Sequence, residues 1–254
     1  MTRVIKVGGR PQSNPLLIDA VARAWRDSPG GVVLVHGGGD EVSRLQQALG
    51  STAQFVNGRR VTTAQDMEIV RMALSGAANK RLVAALVTSG VGAVGISGED
   101  AGLIAAVPMD AEQLGFVGTP QRVNVAFLHH LLSGGYLPVI SPVSRDENET
   151  LGPALNVNGD DAAAALAVAL GASELLLVAD VPGVMREGSV VPTLTFEDIV
   201  QMLADDTATG GMRAKLQAAA AALDGGVDRV RISDLDAIAD SDRGTTLMRA
   251  GALT

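Results

Sequence analysis

Short apolar runs alternate with longer amphipathic stretches along the whole chain. Strand-type runs fall at 4–7, 32–35, 93–96, 103–107, 137–140, 154–157, 175–178 and 229–232. Between them, apolar residues recur with helical period over 15–26, 41–49, 62–74, 79–86, 125–132, 161–170, 196–203 and 211–223. Thr62 is placed to cap the 62–74 helix, and Asn57-Gly58 marks a hairpin turn within 55–61. Strands spaced by helices predict a mainly parallel sheet covered on both faces. The alanine-rich runs at 162–169 and 218–222 read as closely packed helices, and there is no internal repeat. A soft boundary near residue 170 divides the chain into lobes 1–170 and 171–254, with no flexible linker between them.

Composition narrows the function classes. The 254 residues are 47% hydrophobic, enough for a large core. There is no cysteine, hence no disulfide framework and no thiolate chemistry, which agrees with a cytoplasmic setting. No long uncharged apolar run and no signal-type opening are present, so neither membrane insertion nor secretion is expected. A net charge of −8 with 2% aromatics argues against nucleic-acid binding. An anionic ligand would have to be held by local features. Of the 20 basic residues only Lys6, Lys80 and Lys215 are lysines, which marks them for jobs that need a compact ammonium rather than a guanidinium.

The glycines supply candidate local features. Neither G-x-x-x-x-G-K-[ST] nor a G-x-G-x-x-G after the first strand occurs. Instead KVGG (6–9), HGGG (36–39) and SGED (97–100) sit at strand ends. Ligands in open parallel sheets bind beyond the carboxyl ends of the strands, so the first two turns open on one edge, where backbone amides can hold phosphoryl oxygens. A tight strand-to-helix turn is the plainer reading of HGGG. Lys6 is either a sheet-edge lysine or an ammonium aimed at phosphates, and Lys215 either an exposed helix lysine or its counterpart. In LNVNGDDAAAALA (155–167), Asn156 and Asn158 alternate on a short strand and Asp160 falls in the first helical turn. A helix cap accounts for Asp160 but not for both asparagines.

In order along the chain, KVGG, VHGGG, NGRRVT, GAANKRL, VGISGEDAGLI, GYLPVISP, LNVNGDDAAAALA, DVPGV, GGMRAKL and GTTL resemble the amino acid kinase family, within it the branch acting on N-acetyl-L-glutamate. The resemblance covers essentially the whole chain. It implies a three-layer α/β/α sandwich, an acyl-amino-acid and dimerisation lobe at 1–170 and an ATP lobe at 171–254. It implies phosphorylation of the γ-carboxylate of N-acetyl-L-glutamate, a step of arginine biosynthesis. Carried over by position, Lys6 and Lys215 stabilise the transition state and Asp160 organises them. Gly38, Gly39, Arg60 and Asn156 bind the acyl substrate, and Gly8 and Gly9 meet the phosphates. Asp180, Val181, Gly183, Met185, Thr209 and Met212 line the nucleotide pocket. The pattern N-G-x-R-[VI]-T turns Arg60 inward and leaves Arg59 solvated. His36 is given a packing role, and Glu99 stands where many relatives carry lysine.

The chemistry agrees. A γ-carboxylate of ordinary pKa, about 4.3, is ionised at pH 7 and needs no general base. The demand is to align two anions and neutralise the moving phosphoryl group. Magnesium is expected to arrive with ATP, with no dedicated protein metal cage. In the family the chain resembles, arginine-inhibited members look like hexamers assembled through an extra N-terminal helix and unregulated ones like dimers. With only Met1 and Thr2 before the first strand, the resemblance implies a homodimer through the 62–86 helices, without a response to arginine. The other readings are a kinase of N-succinylglutamate or carrier-linked aminoadipate, and a non-catalytic nucleotide- or amino-acid-binding regulator. A regulator would be expected to lack Lys6 or Lys215, and both are present.

Overall fold

A computed structural model describes residues 1–56, 58–205 and 207–249; Asn57, half of the expected turn pair, lies outside them. The chain runs β1 (Arg3–Val7), α1 (Leu16–Asp27), β2 (Val32–His36), α2 (Gly39–Ala48) and a small hairpin of β3 (Phe55–Val56) and β4 (Arg59–Arg60). Next, α3 (Ala64–Arg71) and α4 (Asn79–Thr88) are joined by a π-helical segment, Met72–Ala78. They lead to β5 (Ala93–Gly98), β6 (Ile104–Pro108), α5 (Ala111–Leu114), β7 (Val117–Val123) and α6 (Val125–Ser133). β8 (Leu137–Asp146), β9 (Ala154–Val157), α7 (Gly159–Ala169) and β10 (Glu174–Val178) follow. The last part holds the hairpin β11 (Met185–Arg186) and β12 (Ser189–Val190), then β13 (Thr193–Thr195) and α8 (Phe196–Ala204). It closes with α9 (Gly210–Asp224), β14 (Arg229–Ser233) and β15 (Thr245–Met248).

The main sheet has the order β13-β15-β14-β10-β1-β2-β8-β6-β7-β9, with β5 added on β8. Its centre, β14 to β8, is parallel. Burial on both faces makes β10 read as an unbroken apolar run, Leu175-Leu176-Leu177-Val178. α1 and α4 pack together in one helical layer, and α7, α8 and α9 form the other. α7 and α9 pack against each other, and many of their buried residues are alanines: Ala162, Ala163 and Ala167 on one, Ala218, Ala219 and Ala222 on the other. The expected three-layer sandwich is what forms. One hydrophobic core runs from Leu17 and Val21 of α1 through to Leu216 of α9, so sheet and core are continuous across residue 170.

Three local differences have physical causes. The 62–74 helix is capped by Thr63, not Thr62. Thr63 and Asp66 form a reciprocal capping box, while Thr62 is fully buried and accepts a hydrogen bond from Asn156 Nδ2 at 3.0 Å. β8 continues six residues past the apolar run, to Asp146, because its buried Ser141 and Ser144 hydroxyls find hydrogen-bond partners inside the protein. β7 lacks alternation because it carries Gly118 and Pro120 and pairs with β6 across a register shift.

Candidate active site

β1 pairs with β2 so that Val7 lies beside His36, which sets the turn after each strand next to the other. Gly37 N donates to Val7 O at 2.8 Å. A cavity of about 210 Å³ opens there, floored by these glycines and walled by Val42, Val70, Leu74 and Val117.

At its base three charged side chains meet. Lys6, at the end of β1, is 6% exposed, and its Nζ lies 2.8 Å from Asp160 Oδ1. Lys215, in the second turn of α9, reaches Asp160 Oδ2 at 3.1 Å. Asp160 sits in the first turn of α7, but Asn158 is the residue that caps this helix, accepting from Asp160 N at 2.8 Å. The Asp160 carboxylate is thus left for the lysines. Burial pushes its pKa upward, but Lys6 and Lys215 outweigh burial and hold it below the usual carboxylate range. Burial also lowers the Lys6 ammonium, with Asp160 opposing and Lys215 adding to the shift. Gly159 makes the close approach possible: a Cβ there would stand 3.1 Å from Lys6 Cε.

The β3–β4 hairpin overhangs the cavity. Arg60 donates to Gln46 Oε1, to Gly39 O at 2.9 Å and to Ser43 Oγ at 2.8 Å, and its guanidinium lies 4.8 Å from the Phe55 ring centre. These bonds engage three of its five N–H groups. Gln46, buried to 1% exposure, holds the arrangement by donating to Asp66 Oδ1 at 2.6 Å. Nothing in the helical pattern of 41–49 singled out Gln46 as the buried polar residue.

Arg59 is not solvated. Its Nη1 lies 2.8 Å from Asp161 Oδ2, and the two side chains are 21% and 16% exposed. The one-in, one-out alternation of a strand still holds here, but both faces of this hairpin meet protein. Arg60 reaches α2 on one side and Arg59 reaches α7 on the other. Beyond the hairpin, Glu99 forms a two-pronged ion pair with Arg71 of α3, at 2.9 and 3.1 Å.

Lys6, Gly8, Gly9, Gly38, Gly39, Arg60, Asn156 and Asp160 therefore surround one cavity, and Lys215 joins them through Asp160. Asp180, Val181, Gly183, Met185, Thr209 and Met212 lie outside its lining. Asp180 to Met185 follow β10, with Met185 exposed on β11. Thr209 precedes α9 and Met212 lies in its first turn, one turn before Lys215. Among the described residues no cluster of three or more His, Cys, Asp or Glu could hold a metal ion. Among the described residues lining the cavity the one carboxylate, Asp160, is engaged by both lysines.

Comparison with known proteins gives a consistent result. The model of the amino acid kinase family matches residues 1–234. An acetylglutamate kinase of Geobacillus kaustophilus (strain HTA426) is 43% identical over 233 residues, 91% of this chain and 89% of that protein. An acetylglutamate kinase of Roseiflexus castenholzii (strain DSM 13941 / HLO8) is 44% identical over 255 residues, 98% of this chain and 95% of that protein. The crystal structure of smu.665 from Streptococcus mutans UA159 superposes with a TM-score of 0.87 at 29% identity, covering 97% of this chain and 98% of that one.

Proposed function

The chain belongs to the amino acid kinase family, and we propose from that premise that it transfers the γ-phosphoryl group of ATP to the γ-carboxylate of N-acetyl-L-glutamate. This is a step of arginine biosynthesis. The observation that carries the reading is the convergence of Lys6 and Lys215 on Asp160 beside the two glycine turns.

A γ-carboxylate oxygen bonds to the γ-phosphorus as the bond from that phosphorus to its β-bridging oxygen breaks, and the electron pair leaves with ADP. No proton moves. Negative charge spreads over the phosphoryl oxygens in the transition state, and the two ammoniums with the amides of Gly8, Gly9 and Gly38 are the groups that meet it. Asp160 sets the spacing of the lysines. Gly38, Gly39, Arg60 and Asn156 hold the acyl substrate, Arg60 through the carboxylate geometry that a guanidinium matches. Asp180, Val181, Gly183, Met185, Thr209 and Met212 hold the nucleotide, in a lobe formed by 171–254. With Asp160 taken by the lysines, the protein's donors do not fit a magnesium cage. Magnesium is assigned to the ATP phosphates, where it neutralises charge.

The proposal puts the enzyme in the cytoplasm, where ATP is consumed in biosynthesis, and the cysteine-free sequence asks for no oxidising environment. It also makes it a homodimer joined through α3, the π-helical segment and α4, a surface on which Met72 and Val87 are exposed.

An acyl phosphate is captured by hydroxylamine as a hydroxamate. The expected result is hydroxamate formation with N-acetyl-L-glutamate, and little or none with N-succinylglutamate, glutamate, aspartate or carbamate. A folded, ATP-binding protein inactive on every acylated glutamate would refute the reading.

A further inference from the structure

Behind the HGGG turn lies a buried hydrogen-bond chain that phosphoryl transfer, as described so far, does not use. His36 is 0% exposed and takes no part in the cavity lining. Its Nδ1 lies 2.8 Å from the carbonyl oxygen of the next residue, Gly37. Its Nε2 lies 3.1 Å from Nδ2 of Asn79, another fully buried side chain. Asn79 Nδ2 also donates to Val139 O at 2.9 Å, and its Oδ1 accepts from Lys80 Nζ at 3.0 Å. Lys80 in turn donates to Gly95 O at 2.7 Å.

The directions of these bonds are fixed by chemistry. An ammonium only donates, so the Asn79 atom facing Lys80 is the oxygen, and the atom facing His36 is the amide nitrogen. That nitrogen only donates, so His36 Nε2 accepts and Nδ1 carries the proton. Burial pushes the His36 pKa down to about 4, the Gly37 carbonyl opposing and Lys6 and Lys80 adding to the shift. The ring is neutral at pH 7, with one donor and one acceptor, both engaged.

The Gly37–Gly38 peptide is trans, as are all the peptide bonds described, so its C=O and N–H point in opposite directions. His36, which does not line the cavity, holds the Gly37 carbonyl, and the Gly38 N–H points the opposite way from that carbonyl. Three successive glycines leave this peptide with little intrinsic preference between its two orientations. A flipped peptide would present a carbonyl oxygen to the incoming anion.

We propose that His36 is a positioning residue: its Nδ1–H locks the Gly37–Gly38 peptide so that the Gly38 N–H faces the transferring phosphoryl group, and Asn79 fixes the tautomer that makes this possible. The inference rests on the phosphoryl-transfer reading. It also gives the π-helical segment a task, since Asn79 directly follows Met72–Ala78, and the wider turn re-phases the helix at that point, as π-bulges commonly do at functional sites.

The lock is tested first without activity. In ¹⁵N-labelled protein the His36 ring, assigned by its loss in His36→Phe, is expected to show a protonated Nδ1 and an unprotonated Nε2. A protonated Nε2 overturns the proposal. Kinetics follow, scored against wild-type turnover, which reports separately on the function itself. His36→Phe fills the space without the donor and should lower kcat about 10- to 100-fold while leaving both KM values within about threefold. His36→Asn offers an amide N–H to the same carbonyl and should recover most of the loss. If the phenylalanine variant does not fold, Asn79→Leu, which removes the group that fixes the tautomer, carries the same kinetic expectation. Wild-type kcat in a folded His36→Phe or Asn79→Leu, or equal losses in the phenylalanine and asparagine variants, overturns the lock.

Discussion

Arg59 and Asp161 form an ion pair of 2.8 Å, and each stands next in sequence to a residue of the candidate site, Arg60 and Asp160. The pair ties the hairpin that carries one to the helix that carries the other. A Cβ on Gly58, at the hairpin tip, would lie 3.9 Å from Gly210 O at the start of α9, so the hairpin also abuts the helix bearing Lys215.

Arg59→Ala should therefore raise the KM for N-acetyl-L-glutamate by about fivefold, the equivalent of about 1 kcal/mol for a partly buried pair. Asp161→Ala should match it, and the double variant should be little worse than either alone. Fully additive losses, or no change in KM, would show that the pair has no part in holding the hairpin.

Arg60→Ala should weaken the acyl substrate much more and leave the ATP KM near wild type. Losing hydrogen bonds from a charged group costs about 1.5–3 kcal/mol, roughly ten- to hundredfold in binding. Initial-rate kinetics with each substrate varied in turn separate the two. An effect on ATP as large as that on the acyl substrate would move Arg60 out of the acyl site.

Lys6→Arg and Lys215→Arg should each depress kcat far more than they raise KM, by about 3 kcal/mol of transition-state stabilisation. The guanidinium is planar and its charge is spread. It cannot place a point charge where the Lys6 Nζ sits, 2.8 Å from Asp160 Oδ1. Near-normal kcat in either variant would remove that lysine from the catalytic set.

Stability should move the other way. Two ammoniums share one buried carboxylate, an excess of positive charge that suits an anionic substrate but burdens the ligand-free protein. Lys6→Met keeps length and leaves Asp160 with Lys215, so its stability at pH 7 should equal or exceed wild type while activity is lost. The folded-state pKa of Lys6 is lowered, chiefly by burial. The protonated lysine therefore costs stability below that value, and the cost fades as pH rises towards the unfolded pKa of about 10.4. Urea midpoints of the two proteins should converge as pH rises to about 10. A variant clearly less stable than wild type at pH 7 would contradict this.

The parts of the site readable from sequence were those in which residue type alone is informative. Glycine runs at strand ends and lysines surviving in an arginine-rich chain pointed to Lys6, Gly8, Gly38 and Lys215 because few other residues do those jobs. The N-G-x-R-[VI]-T pattern says that Arg60 turns inward, not what lies on the opposite face of the hairpin, where Arg59 meets Asp161. Gln46 leaves no trace in the sequence, and Asn79 shows only as part of GAANKRL with no role attached, since a buried amide in a helix looks like any surface polar residue until its partners are known. The π-helical segment is equally silent: MALSGAA has no composition that distinguishes i→i+5 from i→i+4 hydrogen bonding. β8 was cut short because buried serines, satisfied by partners inside the protein, resemble the start of a loop.

β1, the first strand of the chain, lies between β10 and β2, and in register Lys6 stands beside Leu177. During synthesis β1 must therefore wait for a neighbour that emerges only after β9 and α7, and the Lys6–Asp160–Lys215 cluster cannot close until α9 has emerged. Contacts so distant in sequence are costly to bring together and slow to form. A ribosome-bound chain ending before residue 174 would hold β1 with one open edge, a template for pairing with other chains. The strand that anchors the chemistry is thus also the one that nascent-chain chaperones would be needed to shield.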